Sequence, residues 1–200
     1  LAGLGQQENA QAALSAAKQI QPDAALVLQS RIDFLIAAGN TAEAAVVTAR
    51  ALERHPDNVG LKLREAALLA SEQDLTQADE RLREVIALDP PGYISGHGHS
   101  ARLALAKIRI IGQNYSDTST FIKPLYGRDT EALYLGALLA YQEENFELAE
   151  ELLLKLLSRS PGNLPSMQLY GMVSYSQENY EKAAYYLGKY VSANPDNLTA

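Results

Sequence analysis

Residues 163–195 read NLPSMQLYGMVSYSQENYEKAAYYLGKYVSANP and hold two helical patterns back to back. In each half, apolar residues return every three or four positions, the period of a helix with one buried face. A short polar turn, Ser176-Gln177-Glu178-Asn179, separates the halves, and the stretch closes on Pro195, which cannot continue a helix. A lone pair of amphipathic helices cannot bury both apolar faces, so a stretch like this one predicts further copies of itself along the chain.

The copies are present. Pro22, Pro56 and Pro90 stand 34 residues apart, as do Pro161 and Pro195. An alanine lies twelve residues before each of them: Ala10, Ala44, Ala78, Ala149 and Ala183. The blocks AALVLQSRIDFLIAAGN (24–40) and TAEAAVVTARALERHPDN (41–58) form one unit. In it Asn40 is the expected cap of the second helix, with Glu43 three residues on. Similar turns recur at 71–74, 112–117, 142–146 and 176–180. The period fails once: Ala78 and Thr118 are 40 apart, Thr118 and Ala149 only 31. The excess falls in DPPGYISGHGHS (89–100), which reads as an extended loop, and Pro124 predicts a short or kinked second helix in that unit. Small residues mark the helix crossings, because axes about 8–10 Å apart leave no room for a long side chain. By the same period Tyr186 and Tyr190 share a stripe facing a neighbouring helix, whereas Tyr185 leans to another surface.

A 34-residue helix–turn–helix with these marks resembles the tetratricopeptide repeat (TPR). Gly171 falls at that family's small position in the first helix, Tyr180 at its aromatic turn position, Ala183 at its alanine and Pro195 at its closing proline. Phe146 and Ala149 match in the unit before, and Tyr115 in the one before that. Leu28, Leu133 and Met167 replace the family's early tryptophan, and Leu75 replaces one aromatic. The resemblance implies an all-α fold, a right-handed solenoid of antiparallel helix pairs forming a single domain over 1–200. Its parts are the second helix of a truncated unit (1–22), units at about 23–56 and 57–90, a loop at 89–97 before an irregular unit at 97–127, and units at about 128–161 and 162–195.

Composition narrows the function classes. The chain is 47% hydrophobic and 20% charged, as folded proteins are, and its formal charge of −7 disfavours nucleic acid and anionic membrane as partners. Basic residues are scattered rather than striped. With no cysteine, disulfides and thiolate-bound zinc are excluded. No stretch reaches the roughly 18 apolar residues of a membrane helix. The opening Leu1 reads as the start of a piece of a longer protein.

No catalytic constellation stands out. His97 and His99 sit in GHGHS, a glycine-flanked stretch expected on an exposed loop; two imidazoles are too few for a zinc site, so they are weak metal candidates only. His55, at a helix end, is placed to complement the helix dipole. Glu143, Glu144, Glu147, Glu150 and Glu151 follow a helix start, where carboxylates favour the dipole, and read as a solvated face. There is no phosphate loop, nucleophile elbow or HExxH. The chain reads as non-catalytic, with no cofactor.

The TPR resemblance implies that the first helices line a concave groove and hold a partner protein or peptide there. Its inward positions fall on Gln29, Asp33 and Ile36, then Leu63, Ala67 and Ala70, then Leu103, Lys107 and Ile110. In the last two units they fall on Tyr134, Leu138, Tyr141 and Gln142, and on Gln168, Met172, Tyr175 and Ser176. Aromatic rings beside amides make the C-terminal half the better binding surface; the other reading is that Tyr134, Tyr141 and Tyr175 only pack against neighbouring helices. Two alternatives to peptide binding remain at this point: an assembly subunit using its convex face or its ends, and a tyrosine-lined carbohydrate groove. The stretch 164–200 is also similar to TPR lipoproteins that accompany the PEP-CTERM/exosortase system of bacterial envelopes. That similarity implies a lipid-anchored envelope protein handling exopolysaccharide or surface proteins; without it the cytoplasm is the expected compartment.

Overall fold

The computed structural model describes residues 23–90 and 92–194; the helix expected within 1–22 and the closing Pro195 lie outside them. Among the described residues there are ten α-helices and no strand. They are α1 (Ala25–Ala37), α2 (Thr41–Arg54), α3 (Val59–Ser71), α4 (Leu75–Ala87), α5 (Gly96–Ile111), α6 (Thr118–Ile122), α7 (Thr130–Gln142), α8 (Phe146–Arg159), α9 (Leu164–Ser176) and α10 (Tyr180–Ala193). A 3-10 turn, Lys123–Leu125, carries Pro124 in its first turn and follows the five-residue α6 directly. Proline cannot donate the next helical hydrogen bond, so the helix tightens and ends there. None of the described helices is long and apolar enough to cross a membrane.

One backbone device makes every pair. The turns α1–α2, α3–α4, α5–α6, α7–α8 and α9–α10 each contain a left-handed residue: Gly39 (φ 78°), Gln73 (65°), Gln113 (54°), Glu144 (58°) and Glu178 (60°). The amide after it donates to the carbonyl five residues back, as in Asn40 to Leu35 (2.9 Å), Asn145 to Ala140 (2.8 Å) and Asn179 to Ser174 (2.8 Å). This is a Schellman closure, and it reverses the chain in three residues. The left-handed residues follow the same interrupted period as the buried small residues Ala44, Ala78, Thr118, Ala149 and Ala183. Thr118, fully buried, takes the alanine's place in the irregular unit. Only glycine is unstrained at such an angle, and another residue there costs roughly 1–2 kcal/mol. Gln73→Gly should therefore stabilise the protein by about 0.5–1 kcal/mol, net of the extra freedom glycine has when unfolded, read as a raised urea midpoint.

Side-chain caps then start most of the helices. Asn58, Asp74, Asp129, Asn145, Asn163 and Asn179 each accept a hydrogen bond from the amide three residues on. Asn40 departs from expectation: it makes no such bond, and Glu43 pairs across to Arg31 on α1 at 3.0 Å instead of reaching back. A charged partner on the facing helix outcompetes the backbone amide.

The chain divides into two compact units, Leu1–Ala101 and Arg102–Ala200. In the first, α1, α2 and α3 pack around Ile32, Leu35, Ala44, Val47, Ala51, Leu61 and Leu68, and α4 packs on α3 with Ala78, Leu82 and Val85 buried. In the second, α7 to α10 enclose Leu133, Ala137, Ala140, Ala149, Leu152, Leu153, Leu156, Leu169, Tyr170 and Val173. A smaller cluster joins Ala106 of α5 and Ile122 of α6 to Leu135 and Leu139 of α7. Within α5 the guanidinium of Arg109 is buried: it donates to the Ser116 carbonyl at 2.8 Å and lies over the Phe121 ring, tying down the turn before α6. Close crossings explain the glycines. A Cβ on Gly171 would lie 2.5 Å from Leu187 Cγ, and one on Gly136 2.2 Å from the Tyr126 hydroxyl.

Candidate functional site

The site is built on α7 and α9, the first helices of the last two pairs, which contact each other directly. Tyr134, Leu138 and Tyr141 recur on one face of α7, and all three are half-buried against the core of the second unit. The corresponding face of α9 is open. Gln168, Met172, Tyr175 and Ser176 are exposed, Tyr175 to 63%, and Gln142 at the end of α7 is exposed as well. Each tyrosine at a helix end meets a ring from the following helix. Tyr141 and Phe146 have centroids 5.9 Å apart, and Tyr175 and Tyr180 5.5 Å apart in an edge-on arrangement. The packing reading therefore holds in part for Tyr134 and Tyr141, while Tyr175 stands in water with its ring supported by Tyr180.

Three of the other expected groove positions, Gln29, Asp33 and Lys107, already have polar partners. Arg64 clamps Asp33 through two nitrogens and also donates to Gln29 at 3.2 Å. Gln29 in turn donates to Asn58 at 2.9 Å and covers Gly60 so closely that a Cβ there would collide with it. Gln29 and Asp33 of the first unit are thus held by charged and amide partners from α3 and the turn before it. Lys107, expected among the partner-binding residues, forms an ion pair with Glu131 at 2.6 Å. A small pocket between α2 and α3, about 120 Å³ and lined by Thr48, Glu65, Leu68 and Glu72 among others, falls well below the size of a typical small-molecule site.

His97 and His99 do not lie on a loop: α5 begins at Gly96, so both sit in its first turns. The helix starts early because Asp89 folds back over it, accepting from the Ser95 amide and hydroxyl, while the Ser95 hydroxyl accepts from the Gly98 amide. Gly98 leaves room for this contact, since a Cβ there would lie 1.9 Å from the Asp89 carboxylate and displace it. The glycine-rich motif thus serves a helix start. Among the described residues no three His, Cys, Asp or Glu side chains converge as metal ligands would. His55 is the residue that caps the C-terminal end of α2, and its ring also contacts the Asp23 carbonyl at 2.8 Å.

Glu150 anchors the second-unit pair from behind. Its carboxylate accepts from Lys182 (2.7 Å), the Tyr170 hydroxyl (2.9 Å) and Gln177 (3.4 Å). The Lys182 hydrogen bond, followed by that from Tyr170, outweighs burial and holds Glu150 below the usual carboxylate range. Burial and the hydrogen bond to Glu150 push Tyr170 up to about 12. Burial, with Tyr190 nearby, also raises Tyr134. Because the folded pKa of Glu150 is depressed, its contribution is full above the ordinary carboxylate pKa and is lost as pH falls through the lowered value. Acid unfolding of Glu150→Gln should accordingly be less pH-dependent than that of the wild type, measured as urea midpoints down the acid limb.

Sequence reasoning missed the role of Tyr180 and Phe146 as ring partners of the stripe. Their five-residue spacing from Tyr175 and Tyr141 was the available signal, but it becomes a contact only through the left-handed turn.

No protein-family model and no curated protein matches the chain. Solved structures do. YrrB, described as a TPR protein with an unusual peptide-binding site, superposes with a TM-score of 0.73 at 16% identity, covering 92% of this chain and 93% of its own. MamA from Desulfovibrio magneticus RS-1 gives 0.75 at 16% identity, over 88% and 97%. The APC/C hetero-tetramer Cut9–Hcn1 gives 0.70 at 14% identity, covering 94% of this chain and 37% of that one. The fold is that of the TPR proteins. As an α-solenoid of TPR-type helix pairs, the chain has the architecture expected from its period.

Proposed function

We propose that this TPR-fold chain is a non-catalytic interaction scaffold that holds a partner polypeptide along the stripe of α7 and α9. The observation that carries the reading is Tyr175, exposed beside Met172 and Gln168 on an α9 face that no described helix covers. An exposed rigid ring beside a flexible thioether and amides is the composition of binding hot spots, where area is gained at small entropic cost. YrrB, a TPR protein with an unusual peptide-binding site, supports the same class of ligand. Selection from a displayed peptide library, followed by titration of the enriched peptides, tests it. Tyr175→Ala and Tyr141→Ala should each weaken binding roughly tenfold or more; undiminished binding by both variants would remove the stripe from consideration.

A specific observation favours assembly through one end as a second reading. Tyr186, Leu187 and Tyr190 occupy on α10 the positions that Leu152, Leu153 and Leu156 occupy on α8, 34 residues earlier. The α8 set is buried beneath α9, whereas the α10 set is only half-buried. Light scattering of Tyr190→Glu beside the wild type separates the two readings: a loss of oligomer in the variant selects assembly. An envelope location belongs to the same proposal, and a lipid-modified cysteine upstream of Leu1 in the full gene product is the observation that supports it.

A further inference from the structure

Resting on the peptide-binding reading, we infer that the stripe selects a basic partner: an extended segment with Lys or Arg about three residues apart. The inference starts from a feature repeated in the last two turns. Glu144 lies between Tyr141 and Phe146 in sequence and Glu147 directly follows the pair, and Glu178 and Glu181 stand in the same way to Tyr175–Tyr180. All four carboxylates are exposed, and none has an ion-pair partner among the described residues. The first unit differs: its equivalent turn positions hold Gly39 and Ala42, then Gln73 and Thr76, without a carboxylate, and no aromatic pair stands in its turns.

Elsewhere in the second unit, tyrosine faces already hold cations. Lys189 lies 4.4 Å from the centroid of Tyr185, and Lys182 lies 5.5 Å from that of Tyr170. Tyr175 and Tyr180, 63% and 60% exposed, carry no such cation from among the described residues. An open ring beside unpaired carboxylates attracts a guanidinium or ammonium doubly, through the ring face and through the charge. The chain's formal charge of −7 adds long-range steering of the same sign. The spacing follows from geometry. Neighbouring helices lie roughly 8–10 Å apart and an extended chain advances about 3.3 Å per residue, so cations serving successive turns are about three residues apart.

The test titrates the full chain with three fluorescent synthetic peptides having Leu and Gln between every third position, which is Arg, Glu or Gln. The Arg peptide should bind most tightly and weaken as salt rises; the Glu peptide should not bind. The double variant Glu144→Gln/Glu178→Gln should lose at least about fivefold for the Arg peptide. Glutamine is tolerated in this left-handed turn position, as Gln73 and Gln113 show, so the variant keeps its fold. Equal binding of the Arg and Glu peptides, both lost in Tyr175→Ala, would overturn the basic preference and leave the stripe as the binding surface. Full affinity for the Arg peptide in the double Gln variant would overturn it too. Binding of none of the three would overturn the preference and count against the stripe itself.

Discussion

Leu153→Ala should cost about 2–5 kcal/mol of stability, the range for deleting a fully buried leucine side chain. Leu153 lies in the middle of α8 with no solvent exposure, within the cluster that α7 and α9 close from both sides. Because these helices come from two consecutive pairs, the loss falls on stacking between pairs as well as within one. The neighbouring position provides the control. Leu154, one residue on, is 48% exposed, so Leu154→Ala should stay within about 0.5 kcal/mol of wild type. Urea denaturation of the full chain measures both. Equal and small losses would mean that α9 does not seal α8, and the stacked arrangement would have to be abandoned.

A larger side chain at Gly171 should do comparable damage by the opposite route. The hydrogen on its Cα faces Leu187, whose Cγ and Cδ2 would lie 2.5 and 2.8 Å from an added Cβ and whose backbone nitrogen would lie 3.2 Å away. The side-chain atoms could move, but the backbone of α10 cannot follow without separating the pair. Gly171→Val should therefore cost at least about 1–3 kcal/mol by overpacking. Combining it with Leu187→Ala should recover part of the loss, giving a non-additive cycle, because the two changes compete for one space. Gly188 is the counterpart with nothing within 4 Å of its would-be Cβ. There Gly188→Ala should stabilise α10 by roughly 0.5–1 kcal/mol, because alanine loses less freedom than glycine on entering a helix. The same substitution class thus changes sign within one helix pair, depending only on what stands opposite.

The α-solenoid was legible from residues 163–195 and the marks that echo them, because helix period, turn composition and the small crossing residues are local facts repeated along one chain. Ala44, Ala78, Ala149 and Ala183 are buried where the period placed them. What lies opposite each expected binding residue was not legible. Asp33 is clamped by Arg64, 31 residues away, and Lys107 is held by Glu131. His97 and His99 were drawn into a helix by Asp89. Tyr141 and Tyr175 have the same place in the repeat, yet one is half-buried and the other open. Periodicity specifies which face of a helix a side chain occupies. Whether that face meets water, an ion-pair partner or another helix is decided by residues distant in sequence, and only the packed structure brings them together.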